Sequence, residues 1–245
     1  MLAFMNSEAE NQQFLPPFAG SFVKYYFGNG NNCCHVDAVH AASPQADRFT
    51  GQIVAGIMAN TCCAGIISTV SRTVADLNRP PGPANQAAVA EYRAVIRDIL
   101  KNLNILTGTG DKLLAPYLHL GLHGMKDLHY GPLSMEVGTI HGHTCSLKIR
   151  KWFGETLKEK TKEIFPEVKI VFDQHWVGNP SLAAHRWGDS RRYPGYGRNY
   201  NAFQIEISRT LREKHQQEII SIFSSIVEQF KEFKEFEAFD KEFQA

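Results

Sequence analysis

Cys33-Cys-His-Val-Asp-Ala-Val39, followed at once by His40-Ala-Ala-Ser-Pro44, is a short apolar run that stops on a histidine and a proline-bearing loop. It reads as a strand that delivers a histidine to a loop. From Asp47 to Ala59 the apolar residues Phe49, Ile53, Val54, Ile57 and Met58 recur with the helical period. Ala64 to Val70 is again compact and β-rich. The first third of the chain thus alternates strand, helix and strand.

Working outward, the loop Leu77-Asn-Arg-Pro-Pro-Gly-Pro83 is followed by a predicted helix over about 85–105. Val89, Tyr92, Val95, Ile96, Ile99 and Leu103 fall on one of its faces. A strand from Tyr117 to Leu122 ends in His123-Gly124, and Met135 to Val137 leads into Gly138-Thr-Ile-His-Gly142. Leu147 to Glu163 reads as mostly helical, Val168 to Phe172 as a strand, and 176–200 as a Gly-, Arg- and aromatic-rich loop. Ala202 to Ile207 is a strand, and 210–243 a long amphipathic helix or helix pair. This alternation predicts an α/β fold: a single domain with a central mixed, mostly parallel sheet flanked by helices. Residues 1–32 are expected to be an N-terminal extension packed on the domain, 33–210 the α/β core, and 211–245 the C-terminal amphipathic helix.

The 245 residues are 43% hydrophobic and 21% charged, with 26 Lys+Arg against 25 Asp+Glu. A net charge of +1 gives no broad basic field, which argues against bulk capture of nucleic acid. No stretch approaches the roughly 20 apolar residues that cross a bilayer, and Met1 to Phe14 lacks the basic-then-apolar pattern of a secretory signal. Cys33-Cys34, Cys62-Cys63 and Cys145 form no CxxC spacing, so reduced thiols and a cytoplasmic location are expected.

In open α/β sheets, ligands bind at the carboxyl ends of strands. Here those ends carry His40, Asp76 to Arg79 and His123, with Glu206 near the end of its own strand. A catalytic zinc takes three ligands from His, Asp, Glu or Cys, and His40, Asp47 and His123 are a candidate set. Taken singly, each has a plainer reading: a hydrogen-bonded structural histidine, or an aspartate capping the next helix. His35-x-Asp37 is a rival metal pair on the same strand as His40. Asn78-Arg79 reads by itself as a turn and a surface ion pair. Glu206, between Ile205 and Ile207, is costly to bury unless paired or functional.

The joint pattern is more specific. His40-Ala-Ala, Asp47, Ser71-Arg72-Thr-Val-Ala-Asp76-Leu-Asn78-Arg79-Pro80, His123-Gly124, Glu136-Val-Gly138-Thr139-Ile-His-Gly142 and Ala202-Phe-Gln204-Ile-Glu206-Ile occur in order over about residues 33–215. This series resembles the N-formylglutamate amidohydrolase family, which is similar to the zinc carboxypeptidases. The resemblance implies a zinc-carboxypeptidase-like (phosphorylase/hydrolase-like) fold with one Zn2+ per chain, held by His40, Asp47 and His123. It implies Glu206 as the residue that activates water and Arg72 as the arginine near the scissile carbonyl. Asn78 and Arg79 would grip a substrate carboxylate, with Thr139 and Arg186 as further substrate contacts. The expected substrate is a small acidic amide, an N-acyl amino acid of N-formylglutamate type. The chain departs from the family in two places. Gly121-Leu-His123-Gly124 stands where Asp-x-His-Ser is usual, and Val39 and Ala42 flank the first histidine where Pro and Gly are usual.

Other readings remain. The same carboxylate grip would serve a carboxypeptidase-like or γ-glutamyl hydrolase acting on short peptides, or a catalytically silent relative that only binds a carboxylate. His185 to Tyr200 interleaves arginines with aromatics, a pattern that grips single-stranded nucleic acid by phosphate contact and stacking. In the enzyme reading it is an active-site wall, and nucleic acid is not expected as a partner. The stripe Phe230, Phe233, Phe236, Phe239 and Phe243 reads as a packing or homo-oligomer face rather than a membrane anchor.

Overall fold

The computed structural model of the protein describes the backbone of residues 18–242 and side chains as far as residue 232. Eight strands form one mixed sheet in the order β1-β2-β4-β3-β5-β8-β6-β7. They are β1 Phe18–Ala19, β2 Val23–Tyr26, β3 Cys34–Ala38, β4 Ala64–Ser68, β5 Tyr117–Gly124, β6 Ser134–Gly138, β7 Lys169–Phe172 and β8 Tyr200–Ile207. The neighbours β4, β3, β5 and β8 run parallel, β6 turns back against β8, and β2 runs antiparallel to β4. The expected α/β class and mixed, mostly parallel sheet are what the structure has. Residues 18–26, within the stretch read as an extension, supply β1, at one edge of the sheet, and its neighbour β2.

The helices are α1 Thr50–Thr61, α2 Gln86–Asn102, α3 Leu147–Ile164, α4 Pro180–Trp187, α5 Arg209–Lys214 and α6 Gln216–Glu242. Strand alternation divides the central strands into two faces. One presents Cys34, Val36, Ala38, Leu118, Leu120, Leu122, Phe203, Ile205 and Ile207, packed into a core with residues of α1, α3 and α6 such as Ile53, Ile57, Phe153, Phe223 and Phe230. The other face presents His35 and Asp37 of β3, His119, Gly121 and His123 of β5, and Gln204 and Glu206 of β8. Tyr117, Tyr200 and the apolar stripe of α2 pack on that side. An apolar face thus anchors the sheet, and a polar column lies across its other face beneath α2 and α4.

Two expected boundaries move. β5 runs to Gly124 rather than ending at Leu122, so His123 is a strand residue paired with Glu206 of β8. The segment read as loop over 176–200 contains α4. Asn179 caps that helix by accepting a hydrogen bond from the Ser181 amide, and Pro180 occupies the first turn. Of the phenylalanine stripe, Phe230 is buried against the Trp152 ring inside the same chain. Phe233, Phe236, Phe239 and Phe243 lie outside the described side chains. No described helix is long and apolar enough to cross a membrane, and none of the five cysteines is in a disulfide.

Candidate metal centre

A tight connection after β3 creates the centre. The Asp47 amide donates to the His40 carbonyl at 2.8 Å, closing the loop and bringing both residues to the strand end. Thr50 then starts α1 by donating its amide and hydroxyl to the Asp47 carbonyl. Asp47 therefore serves the helix through its backbone, and its carboxylate points elsewhere. His40 Nδ1 and His123 Nδ1 each stand 3.4 Å from the same oxygen, Asp47 Oδ2. That is long for a hydrogen bond. It matches the separation of about 3.3–3.5 Å expected between donors about 2.0–2.2 Å from a tetrahedral ion. His40 Nδ1 is buried without a hydrogen-bond partner, while its Nε2 is held 2.7 Å from Asp76 Oδ1. A ring with its outer nitrogen on a carboxylate and its inner nitrogen free is how a metal-binding histidine is presented. The residues present fit a divalent ion.

The charges agree with this arrangement. Burial by itself would raise the Asp47 carboxyl, but the rings of His123 and His40 and the Arg72 guanidinium outweigh it and hold the group well below the usual carboxylate range. Burial lowers the His123 imidazole, and the carboxylates of Asp47 and Glu206 more than reverse that. The Asp76 carboxyl is pulled down, against its burial, chiefly by His40. Glu206 behaves oppositely: burial pushes its carboxyl up, with the Asp47 charge adding to the rise.

Around the centre, Gln204 donates from Nε2 to Glu206 Oε1 at 2.9 Å. Asn78 reaches Gln204 Oε1 at 3.4 Å and accepts from the Ser181 hydroxyl at 3.1 Å. Arg72 is bonded to Asp47 through one terminal nitrogen, and its buried Nε has no partner. Arg79 is exposed and stands 3.5 Å from Asp76. A cavity of about 10 Å³, room for about one water, is lined by Asn78, Gly121, His123, Ser181, His185 and Gln204 among others. A larger hollow of about 600 Å³, lined by Arg93, Arg97, Arg192 and Tyr193 among others, shares none of these residues.

The structure thus brings together His40, Asp47, His123, Glu206, Arg72, Asn78 and Arg79. It does not bring Thr139 and Arg186 to them. Thr139 is buried with its amide and hydroxyl on the Asp173 carboxylate. The Arg186 guanidinium bonds the Tyr200 carbonyl and Asn201 Oδ1 at the far, amino end of β8. Of the aromatic rings of that segment, Trp187 is exposed and the tyrosines turn inward. Tyr196 and Tyr200 are buried and stacked, and Tyr193 bonds His185, so these rings form no open platform for bases.

Two features went unread in the sequence. Arg212 of α5 is buried, with its guanidinium on the carbonyls of Ile207, Met125 and Arg48. It fills the space over Gly124, where a Cβ would lie 2.5 Å from its Cζ, which is why a larger residue does not follow His123. The second is His119, which joins the rival pair His35 and Asp37 in one buried set. His119 Nε2 lies 2.7 Å from Asp37 Oδ2, and Tyr92 donates to the same oxygen. Burial keeps the His35 ring neutral, its pKa lowered to about 4. The signal was the alternation of leucine with His119, Gly121 and His123 along one strand, which sets the two histidines on one face.

No protein-family model matches the chain, and no curated relative matches it. Solved structures do. An N-formylglutamate amidohydrolase from Ralstonia eutropha superposes with a TM-score of 0.61 at 14% identity, over 87% of this chain and 98% of that one. The chain has the fold of N-formylglutamate amidohydrolase. A gene product of Agrobacterium tumefaciens superposes with a TM-score of 0.56 at 12% identity, covering 86% and 95% of the two chains. A bacteriophage poly-γ-glutamate hydrolase gives 0.51 at 13% identity, covering 88% and 91%. The likeness to N-formylglutamate amidohydrolase spans nearly the whole of both chains, so the expected resemblance is met at the level of fold.

Proposed function

We propose that the protein is a zinc-dependent amidohydrolase that cleaves the amide of a small acidic N-acyl amino acid, of N-formylglutamate type. The observation that carries this reading is the convergence of three donors, spaced for one ion, with a buried glutamate on the adjacent strand. Zinc held by His40, Asp47 and His123 would lower the pKa of a bound water from 15.7 towards about 7 and polarise a carbonyl. Glu206 takes the proton of the attacking water and returns it to the departing amine. Burial suits it to that task, because a carboxyl whose charged form is disfavoured holds a proton more readily. Arg72 Nε is a buried donor available to the oxygen on which charge develops.

At the rim, Asn78 and Arg79 hold the substrate's carboxylate. The Arg79 fork offers two parallel hydrogen bonds to such a group. Thr139 and Arg186 have no part in this reading, being held on Asp173 and at the amino end of β8 rather than beside the three donors. A cytoplasmic location accords with five free thiols.

The test is hydrolysis of N-acyl glutamates and aspartates by zinc-loaded protein and by Glu206→Ala. Loss of acid–base help should lower kcat by about 10²–10⁴ while metal content is unchanged. Equal turnover by the two proteins would refute the mechanism.

A further inference from the structure

The polar column continues past the candidate centre. Four residues back from His123 on β5 lies His119, beside His35 and Asp37 of β3. The geometry points to a second, buried site for a divalent transition ion, formed by His35, Asp37 and His119 and separate from His40, Asp47 and His123. One ligand atom from each of the three lies within 4.8 Å of the others. Both histidines have their outer nitrogens held by tyrosines: His35 Nδ1 is 2.8 Å from the Tyr117 hydroxyl, and His119 Nδ1 is 3.1 Å from the Tyr200 hydroxyl. Both Nε2 atoms are thereby turned towards Asp37, His35 Nε2 at 3.7 Å and His119 Nε2 at 2.7 Å in a hydrogen bond that a bound ion would replace.

Two observations single this set out from an ordinary hydrogen-bond network. His35 Nε2 is fully buried without a partner, 3.7 Å from Asp37 Oδ2, and Asp37 Oδ1 is also buried and unpartnered. A network built only of hydrogen bonds leaves both atoms unmet, a costly outcome in an interior. Charge gives the second reason. Among the described residues, Asp37 has no lysine or arginine in ion-pair range, only the two imidazoles. A dication supplies the missing counter-charge, and two imidazoles with a carboxylate suit zinc, copper, iron or nickel. The Tyr92 hydroxyl, bonded to Asp37 Oδ2, keeps the carboxylate in place. His119 and His123 are four residues apart on one strand, about 13 Å between Cα atoms. The two sites are therefore independent, not a bridged pair, which needs about 3.5–4 Å.

Exposures of 0%, 1% and 1% for His35, Asp37 and His119 leave as the way in only the cavity of about 10 Å³ that Asp37 and His119 share with His123. The ion enters as the chain folds and exchanges slowly. Protein from zinc-supplemented cells should hold about two ions per chain by elemental analysis. A brief chelator wash should remove only the ion that His123→Ala also lacks. Asp37→Asn and His35→Gln, which keep shape and most hydrogen bonds, should each hold one ion fewer than wild type and retain the chelator-labile one. Circular dichroism and that retained ion report folding in the same samples. If both variants hold as many ions as wild type, the proposal is overturned. A single wild-type ion lost in Asp37→Asn but kept in His123→Ala would uphold this site and count against the hydrolase reading instead.

Discussion

Arg79 is 65% exposed, with Asp76 at 3.5 Å as its ion-pair partner among the described residues, so it contributes little to stability and is available to a ligand. Its neighbour Asn78 is tied to Gln204 and Ser181, which fixes the loop while leaving the guanidinium exposed. Arg79→Ala is expected to raise KM about 10- to 100-fold for amides carrying a free carboxylate, the loss of about 1.5–3 kcal/mol for a charged hydrogen bond. KM for uncharged amides should stay nearly constant. Steady-state kinetics on a matched pair of substrates decides it, and equal losses on both would rule out the carboxylate grip. Taken singly, His40 after Val39, His123 after Leu122 and Glu206 between two isoleucines have plainer readings, and Asp47 reads as a helix cap; what singled them out in the sequence is the ordered series that resembles a known family. The structure places Asp76, part of the same strand-end series, on His40 Nε2. Arg212 carried no such signal, since an arginine at the start of a polar helix looks like any solvated one.

Among the connecting elements, the turn after β6 depends on one carboxylate. Asp173 accepts from the Thr139 amide and hydroxyl, both at 2.6 Å, from the His141 amide at 3.3 Å and from Arg150 at 2.9 Å. Burial would raise its carboxyl, and the Thr139 and Arg150 contacts more than reverse that, so the folded-state pKa is depressed. A depressed carboxyl contributes stability above its unfolded pKa, which is lost as pH falls through the folded value. Asp173→Asn should therefore cost about 1–3 kcal/mol at pH 7. The gap from wild type should close below about pH 4, as read by urea unfolding across pH. Helices with a clear apolar stripe, such as α2, were legible to within a few residues. α4 was not, because eight residues amid glycines and arginines give too few turns for periodicity to show. Its Asn179-Pro180 start was the local clue. β5 was cut short because glycine after His123 resembles a loop. In the folded protein that glycine instead makes room for Arg212.

At the scale of the molecule, the sheet is held from its apolar side by α1, α3 and α6. Phe230 of α6 is 1% exposed, with its ring 5.3 Å from that of Trp152. Phe230→Ala should cost about 3–5 kcal/mol, the usual range for a buried phenylalanine, measured as a lowered denaturation midpoint with the slope unchanged. The order of the strands was the least legible property. Period and composition reveal that a segment is a strand, whereas partner choice depends on contacts made across the chain. β3 pairs with β4, near in sequence, and equally with β5, far from it.

That long-range pairing has a kinetic consequence. His40 and His123 are 123 − 40 = 83 positions apart, so the cluster exists only after a large loop has closed, an entropic step that precedes any reward from the contact. The donors cannot seed folding; they assemble once β3 and β5 are already in register. An ion held there would act as a latch, lengthening the lifetime of the native state by slowing its opening and leaving the rate of its formation nearly untouched.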